Sequence, residues 1–335
     1  MAISRGDRFK NYLRNSPKES TFNSFVILVM LIIINASLQH NFFSYTIVKS
    51  NFMTLTPIIL ISMAQGIIIL SGNLNLAIGA ELSLITVIMA FFMTDSIVNV
   101  ILVVLLGVVA SIVLGAINGA LVGYVGLPPL ISTFSTFSIF FGLALFIMPL
   151  PGGYVPKYFY RWYRGDILEF IPVPVFILLI GILIWIIIKR TTLYRYIYAV
   201  GSDEESAYSS GIKVSHIKFM TYVIAGIFVA LAAVCVLLST AIGDPKIGGD
   251  PRGGTGPSYM LNSIAAVLIG GISLKGGKGS LVGAIVGAII LVLLINIIFF
   301  AQVSSLYQNF ARGMIILLSL SIATIPNLRE EAKKI

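Results

Sequence analysis

Residues 280–300 read SLVGAIVGAIILVLLINIIFF, a run without a single charge. About 20 consecutive apolar residues suffice for a helix to cross the hydrocarbon of a bilayer. The pattern recurs along the chain. Ten candidate spans cover 22–39, 52–71, 77–94, 97–123, 130–150, 171–188, 219–242, 258–274, 280–301 and 313–326. The expectation is an all-α polytopic membrane protein of about ten transmembrane helices. Composition agrees: 10% of the residues are charged, against about 25% in soluble domains. The span at 258–274 is short and holds Asn262 and Ser263, so a re-entrant half-helix is the alternative there.

Charge assigns the sides. Lys and Arg collect on the cytoplasmic face. With ten crossings and the N-terminus inside, 15 of them fall on inner segments and 7 on outer ones. A turning-back 258–274 would leave 11 on each side. Ten crossings with both termini cytoplasmic is therefore the expected topology. It divides the chain into a basic cytoplasmic segment (1–21), a transmembrane domain (22–326) with an inner segment at 189–218, and a cytoplasmic tail (327–335). The first span starts late and no clear small-residue cleavage site follows it, so an uncleaved span is expected rather than a signal peptide.

The stretch LIGGISLKGGKGS (268–280) invites a nucleotide-binding reading, which its spacing rejects. A phosphate-cradling loop needs G-x-x-x-x-G-K-[ST] after a buried strand. Here Ile272 stands where the first glycine should be, and Gly279 follows Lys278. Gly276, Gly277, Lys278 and Gly279 are expected to form a tight cytoplasmic turn. No cofactor is expected. Cys235 is the single cysteine and His40 and His216 lie far apart, which rules out an internal disulfide and a cysteine-based metal site.

Of 13 acidic residues only Glu81 falls inside a span. Ion-coupled carriers and proton relays need intramembrane ionisable groups, so one Glu is thin support for them. Glu81 either faces a polar path or snorkels to the interface. Glycines recur along the fourth span (Gly107, Gly115, Gly119, Gly123) and the ninth (Gly279, Gly283, Gly287), a spacing that lets helix backbones approach closely. SGNLNLAIGAELS (71–83) interrupts the second and third spans with almost no loop. Irregular backbone at membrane depth is tolerated beside a water-filled cavity, and Asn73 and Asn75 offer amides for a neutral polar solute. A plain turn is the alternative.

The longest inner segment, 189–218, contains YAVGSDEESAYSSGIKV (198–214). Ser202 and Glu205 read as a capping box, Asp203, Glu204 and Glu205 fill a first turn, and Gly211 suits the position after a helix end. A short helix over about 203–210 follows. It is too short to stand alone, so it rests on its own bundle or docks another subunit.

These residues resemble the permease subunits of bacterial ABC importers for ribose and related simple sugars. The 198–214 stretch is similar to that family's coupling segment, roughly YAVGGNEEAARLSGI. GTGPSYMLNSIAAVLIGGISLKGGKGSLVGAIVGA (254–288) is similar to its longest signature, and SGNLNLAIGAELSL (71–84) to a GGIDLSVGS segment. The resemblance implies the ABC importer permease fold. It also implies a place in the lipid bilayer and three kinds of protein partner: a cytoplasmic ABC ATPase subunit, an extracytoplasmic solute-binding protein, and a second permease copy, identical or not. Hydrolysis would occur on the separate ATPase, so the chain itself is not expected to be an enzyme. Nucleic acid is not an expected partner. Glu204, Glu205, Ala207 and Gly211 would lie at the ATPase contact, and Asn75 and Asn262 near the solute path. The chain carries Asn75 and Asn262 where that family usually has Asp, and Asn73 and Ala77 where it has Gly and Ser. A sugar is the expected solute. A nucleoside, an autoinducer-type furanose or a branched-chain amino acid, or a self-contained carrier or channel, are the alternatives. Outside, the aromatic loop 151–170 with Trp162 and the Gly/Pro-rich loop 241–258 either receive a binding protein or form an interfacial belt.

Overall fold

A computed structural model describes residues 18–39, 41–167, 171–249 and 258–300, with positions 307, 310, 313 and 314 beyond them. Most of the 1–21 segment, the expected span at 313–326 and the 327–335 tail lie outside the described residues. Twelve helices form among those described: α1 (Lys18–Leu38), α2 (Tyr45–Leu70), α3 (Ile78–Phe92), α4 (Ile97–Gly123), α5 (Pro129–Ile147), α6 (Lys157–Tyr163), α7 (Val173–Lys189), α8 (Thr192–Ser202), α9 (Glu204–Ser209), α10 (Val214–Thr240), α11 (Tyr259–Ile269) and α12 (Leu281–Phe300). The exception to an all-α chain is a two-residue hairpin, β1 (Asp166–Ile167) against β2 (Ile171–Pro172).

Local chemistry sets several boundaries. Pro129 occupies the first turn of α5 and Pro174 that of α7, where a missing N–H costs nothing. α4 coincides with the expected 97–123. α2 begins earlier than expected, at Tyr45, and carries Pro57 within it.

Ten full-length crossings are not what the described residues contain. Five helices are long and apolar enough to cross: α2, α4, α5, α10 and most of α12. α7 joins them if counted with α8, from which it is bent by 79°. α3 and α11, with 15 and 11 residues, reach only about 22 and 16 Å at the helical rise, against about 30 Å of hydrocarbon. The helices fall short because irregular chain completes their paths.

The connections gather at two ends. At one, the turn after α2, the α8–α9 segment and the 273–279 turn meet: Gly277 N–H donates to Leu70 O at 3.0 Å. The start of α10 packs there too, its Ser215 carbonyl 2.5 Å from where a Cβ on Gly123 would sit. At the other end, Gly152 and Gly243 exchange backbone hydrogen bonds at 2.9 and 2.7 Å. Tyr154 N–H bonds Ala90 O there, and Lys49 pairs with Asp166 at 2.8 Å. Among the described residues, these segments expected inside share the first end, and these expected outside share the second. The chain passes from Gly243 at one end to Gly276 at the other, so this stretch traverses the bundle although, among its described residues, only 259–269 is helical.

α2 is the central post, packed by α10, α11, α12 and α7, with 89% of its apolar window buried. The glycine stripe of α4 seats α10. A Cβ on Gly115 would sit 2.4 Å from Tyr222 O, and one on Gly119 2.7 Å from Phe219 O. On α12, Gly283 and Gly287 receive the α11 backbone as closely, at 2.1 and 1.9 Å. Close approach of this kind is what drives helix association where lipid removes the hydrophobic term.

Candidate functional site

α2 ends at Leu70, Gly72 turns the chain at φ +79°, and residues 73–77 run without helix before α3 begins. The backbone here is satisfied from several directions. Asn73 N–H donates to Ile68 O. Leu76 N–H donates to the Thr133 hydroxyl at 3.0 Å, and Ala77 N–H to Asn75 Oδ1 at 2.8 Å. The Tyr222 hydroxyl donates to Leu74 O at 3.0 Å. This meets the condition for irregular chain inside a membrane protein: neighbouring helices supply the missing partners.

A closed polar network sits at the start of α3. Glu81 Oε1 accepts from Asn75 Nδ2 at 3.1 Å and from Asn118 Nδ2 on α4 at 2.6 Å. Asn118 Oδ1 in turn accepts from the Thr136 hydroxyl on α5 at 2.6 Å. All four are at least 97% buried. Asn118 lies about 7 Å from the Gly123 end of α4, and Thr136 about 10 Å from the start of α5. The carboxyl also lies within the first turn of α3, where the helix dipole favours it. The Glu81 side chain is 1% exposed and turned into the bundle rather than out to an interface.

The second interrupted span reaches the same place. After α10, Ala241 adopts φ +60° and the chain folds inward. Gly248 N–H donates to Ser83 Oγ at 2.9 Å, and a Cβ on Gly248 would lie 1.7 Å from Gly79 O. A Cβ on Gly79 would in turn lie 3.3 Å from Met260 Cβ. The N-terminal ends of α3 and α11 therefore meet inside the bundle. Asn262 and Ser263, on the first turns of α11, are both buried.

Sequence reasoning named Asn73, Asn75, Glu81 and Asn262 for this region. Asn75 and Glu81 bond each other, and Asn262 lies two residues beyond the Met260 contact. Asn73 stays apart, bonding back to Ser71 at the turn. Asn118, Thr133, Thr136 and Tyr222 were missed. Asn118 carried a readable signal, an amide between Gly115 and Gly119 in an otherwise apolar run. The amide at Asn75 has a structural account: it accepts from Ala77 and donates to Glu81, whereas an ionised Asp can only accept.

The opposite feature is the polar knob on the end shared by α8, α9 and the 273–279 turn. The expected capping box is not formed. Ser202 closes α8, and Asp203 is the N-cap of α9, accepting from Glu205 N–H and Ser206 N–H. Aspartate wins because its extended backbone places a carboxylate beside those donors. The Ser206 hydroxyl, with the Ser206 and Glu205 amides, holds the Asp203 carboxyl below its usual range. Gly211 follows at φ +83°, with Ile212 N–H closing on Ala207 O, as expected for a helix stop. Glu205 and Tyr208 are exposed, Glu204 pairs with Lys218 at 2.7 Å, and Ala207 is buried. A cavity of about 720 Å³ lies between α9 and the α4–α5 turn, lined among others by Tyr124, Pro128, Glu204, Glu205, Tyr208 and Lys218.

The KGGKG turn is part of this knob. A Cβ on Gly201 would sit 1.9 Å from Leu70 O, one on Gly276 2.7 Å from Gly72, and one on Gly277 2.2 Å from Ser202 Oγ. Gly279 O accepts from the Tyr198 hydroxyl at 2.8 Å. Lys278 is exposed. Three chain segments, the end of α2, the end of α8 and the 273–279 turn, thus meet in close contact here.

Apolar helices in a bundle, two interrupted spans meeting round buried polar groups, and a polar knob at one end define a multi-pass membrane protein of the solute-transporting class. The chain belongs to the family described as the permease component of branched-chain amino acid transport systems, which matches residues 48–320. It is similar to the ribose import permease protein RbsC of Bacillus subtilis (strain 168), with 33% identity over 78% of this chain and 79% of the relative. It is also similar to the D-allose transport system permease protein AlsC of Escherichia coli (strain K12), with 32% identity over 90% of each. The autoinducer 2 import system permease protein LsrC of Photorhabdus luminescens is 29% identical over 84% of this chain and 82% of its own length. No solved structure matches the chain.

Proposed function

We propose that this chain is the membrane subunit of an ATP-driven importer of a small, neutral, polyhydroxylated solute of the sugar type. The carrying observation is the Asn75–Glu81–Asn118–Thr136 network at the meeting point of two interrupted spans. Broken helices build transport sites because they place polar backbone and side chains at membrane depth. Amides and hydroxyls both donate and accept, which suits a polyol. The named solutes of the relatives, ribose, D-allose and autoinducer 2, support a sugar-like cargo.

The knob end faces the cytoplasm of a bacterial cell, in the inner membrane, and a separate ATPase subunit grips it. Ser202, Asp203, Glu204, Glu205, Ala207 and Gly211 form this coupling element. Exposed Glu205 and Tyr208 make the contact, and buried Ala207 anchors α9 to its own bundle. The loop end, where 151–172 and 241–249 join, receives a solute-binding protein. Closure of two ATPases against two permease copies tilts one copy against the other and opens the path alternately to each side.

The test is reconstitution of the purified complex in proteoliposomes, with ATPase and binding protein supplied. ATP-dependent accumulation of labelled ribose or allose, lost when either partner is omitted, is the expected result. Accumulation by the lone chain would replace the reading with a secondary carrier. Uptake of leucine with no sugar uptake would replace the solute class.

A further inference from the structure

Gln65 lies inside α2, the most buried crossing helix, and its relative exposure is 0%. Neither its Nε2 nor its Oε1 has a hydrogen-bond partner. Among the described residues it is the only buried side chain with two such atoms. Leaving a buried amide unpaired is costly, and each such group in a folded protein calls for an explanation.

Its position supplies one. Successive residues on a helix are about 100° apart. Gly66 faces α12 and the adjoining turn, since a Cβ there would meet Leu281, Ile272 and Ala284. Leu60 faces α7 through Gly181, about 120° from Gly66 in one sense. Gln65 lies about 100° from Gly66 in the other sense. Its side chain therefore leaves α2 on the side away from α12 and α7, toward α11 and α10, the other neighbours of α2 besides α8. α3 packs against both of these. Gln65 also lies about 7 Å inside the Leu70 end of α2, the same depth as Asn118 from its own end of the bundle.

We propose that Gln65 is a solute-contacting residue of the translocation path, using its free amide to bond a hydroxyl pair of a passing polyol. This inference rests on the importer reading above. The unpaired amide is a standing cost to the resting fold, offset only while solute occupies the path.

The experiment compares wild type with Gln65→Leu and Gln65→Met in the full reconstituted complex, measuring melting temperature, ATPase stimulation by loaded binding protein, and sugar uptake. Both apolar variants remove the unpaired amide at similar volume. At least one is expected to melt at or above the wild-type temperature and to keep ATPase stimulation within about twofold. Its uptake should fall about tenfold, the factor expected for roughly one lost hydrogen bond. Wild-type uptake in a stable, fully stimulated variant would overturn the assignment while leaving the importer reading intact. If both variants melt well below wild type, Gln65 is a structural residue and the assignment also falls. If wild type imports no sugar, the importer reading itself has failed.

Discussion

Asn118 on α4 donates to Glu81 on α3 across 2.6 Å, and its other amide atom accepts from Thr136 on α5. One side chain thus ties three helices at a point where one of them is only beginning. Replacing Asn118 with Leu removes the shortest donor to a buried carboxyl and leaves the Thr136 hydroxyl only its longer bonds to the Ser132 and Thr133 carbonyls. We expect a loss of about 2 kcal/mol, read as a lower melting temperature in detergent. In a double-mutant cycle with Glu81→Gln, the coupling should be about 1–3 kcal/mol; additive effects would show that the pair does not interact.

Asn75 must be an amide for the network to close. Asn75→Asp removes the Nδ2 donor and sets a second carboxyl against Glu81, so that two acceptors face each other. The expected cost is on the order of 3 kcal/mol. Adding Glu81→Gln should recover much of it, because the new amide can donate back. A melting temperature for the double variant no higher than for Asn75→Asp alone would contradict this geometry.

Two glycines in neighbouring helices should behave oppositely. Gly115→Ala drives a Cβ into Tyr222 O at 2.4 Å, and overpacking of this kind costs about 1–3 kcal/mol. Gly142 on α5 has nothing within 4 Å, and Gly142→Ala should be neutral or gain up to about 1 kcal/mol of helix propensity. Melting curves of the two variants separate tight seating from open flank.

On the knob, Glu205→Lys reverses an exposed charge that has no ion-pair partner among the described residues. The bundle should keep its melting temperature while ATPase binding is lost; a variant that still assembles and transports normally would remove α9 from the contact. Asp203→Ala should fray α9 by leaving the Glu205 and Ser206 amides unpaired. The Asp203 carboxyl is held below its ordinary range by the Ser206 hydroxyl and the two amides. Its folded-state value is therefore below the unfolded one. The cap is fully present above the unfolded value and is lost as pH falls through the folded value, below the usual carboxylate range. Hydrogen exchange at Glu205 and Ser206, followed downward in pH, should show this in wild type and not in Asp203→Ala.

Apolar run length alone determined that this chain is a multi-pass helical protein, because about 20 uncharged residues have no stable place in water. Spacing disposed of the P-loop reading of KGGKG, and Gly211 marked the end of α9. Charge sorted the connections into two groups that the structure gathers at two ends. Only the tertiary structure decided the rest. The 77–94 run looked like an ordinary span and 258–274 like a short or re-entrant one; α3 and α11 are both short, because irregular chain at 73–77 and 241–249 finds its partners in Thr133, Tyr222 and Ser83, residues remote in sequence. Ser202 lost the capping role to Asp203 by a one-residue difference in where α8 stops. Asn118, Thr136 and Gln65 were ordinary polar letters in apolar helices until packing showed what each faced. Apolar run length depends on transfer from water, which each residue carries with it. Hydrogen-bond pairing depends on a second residue that folding alone brings near.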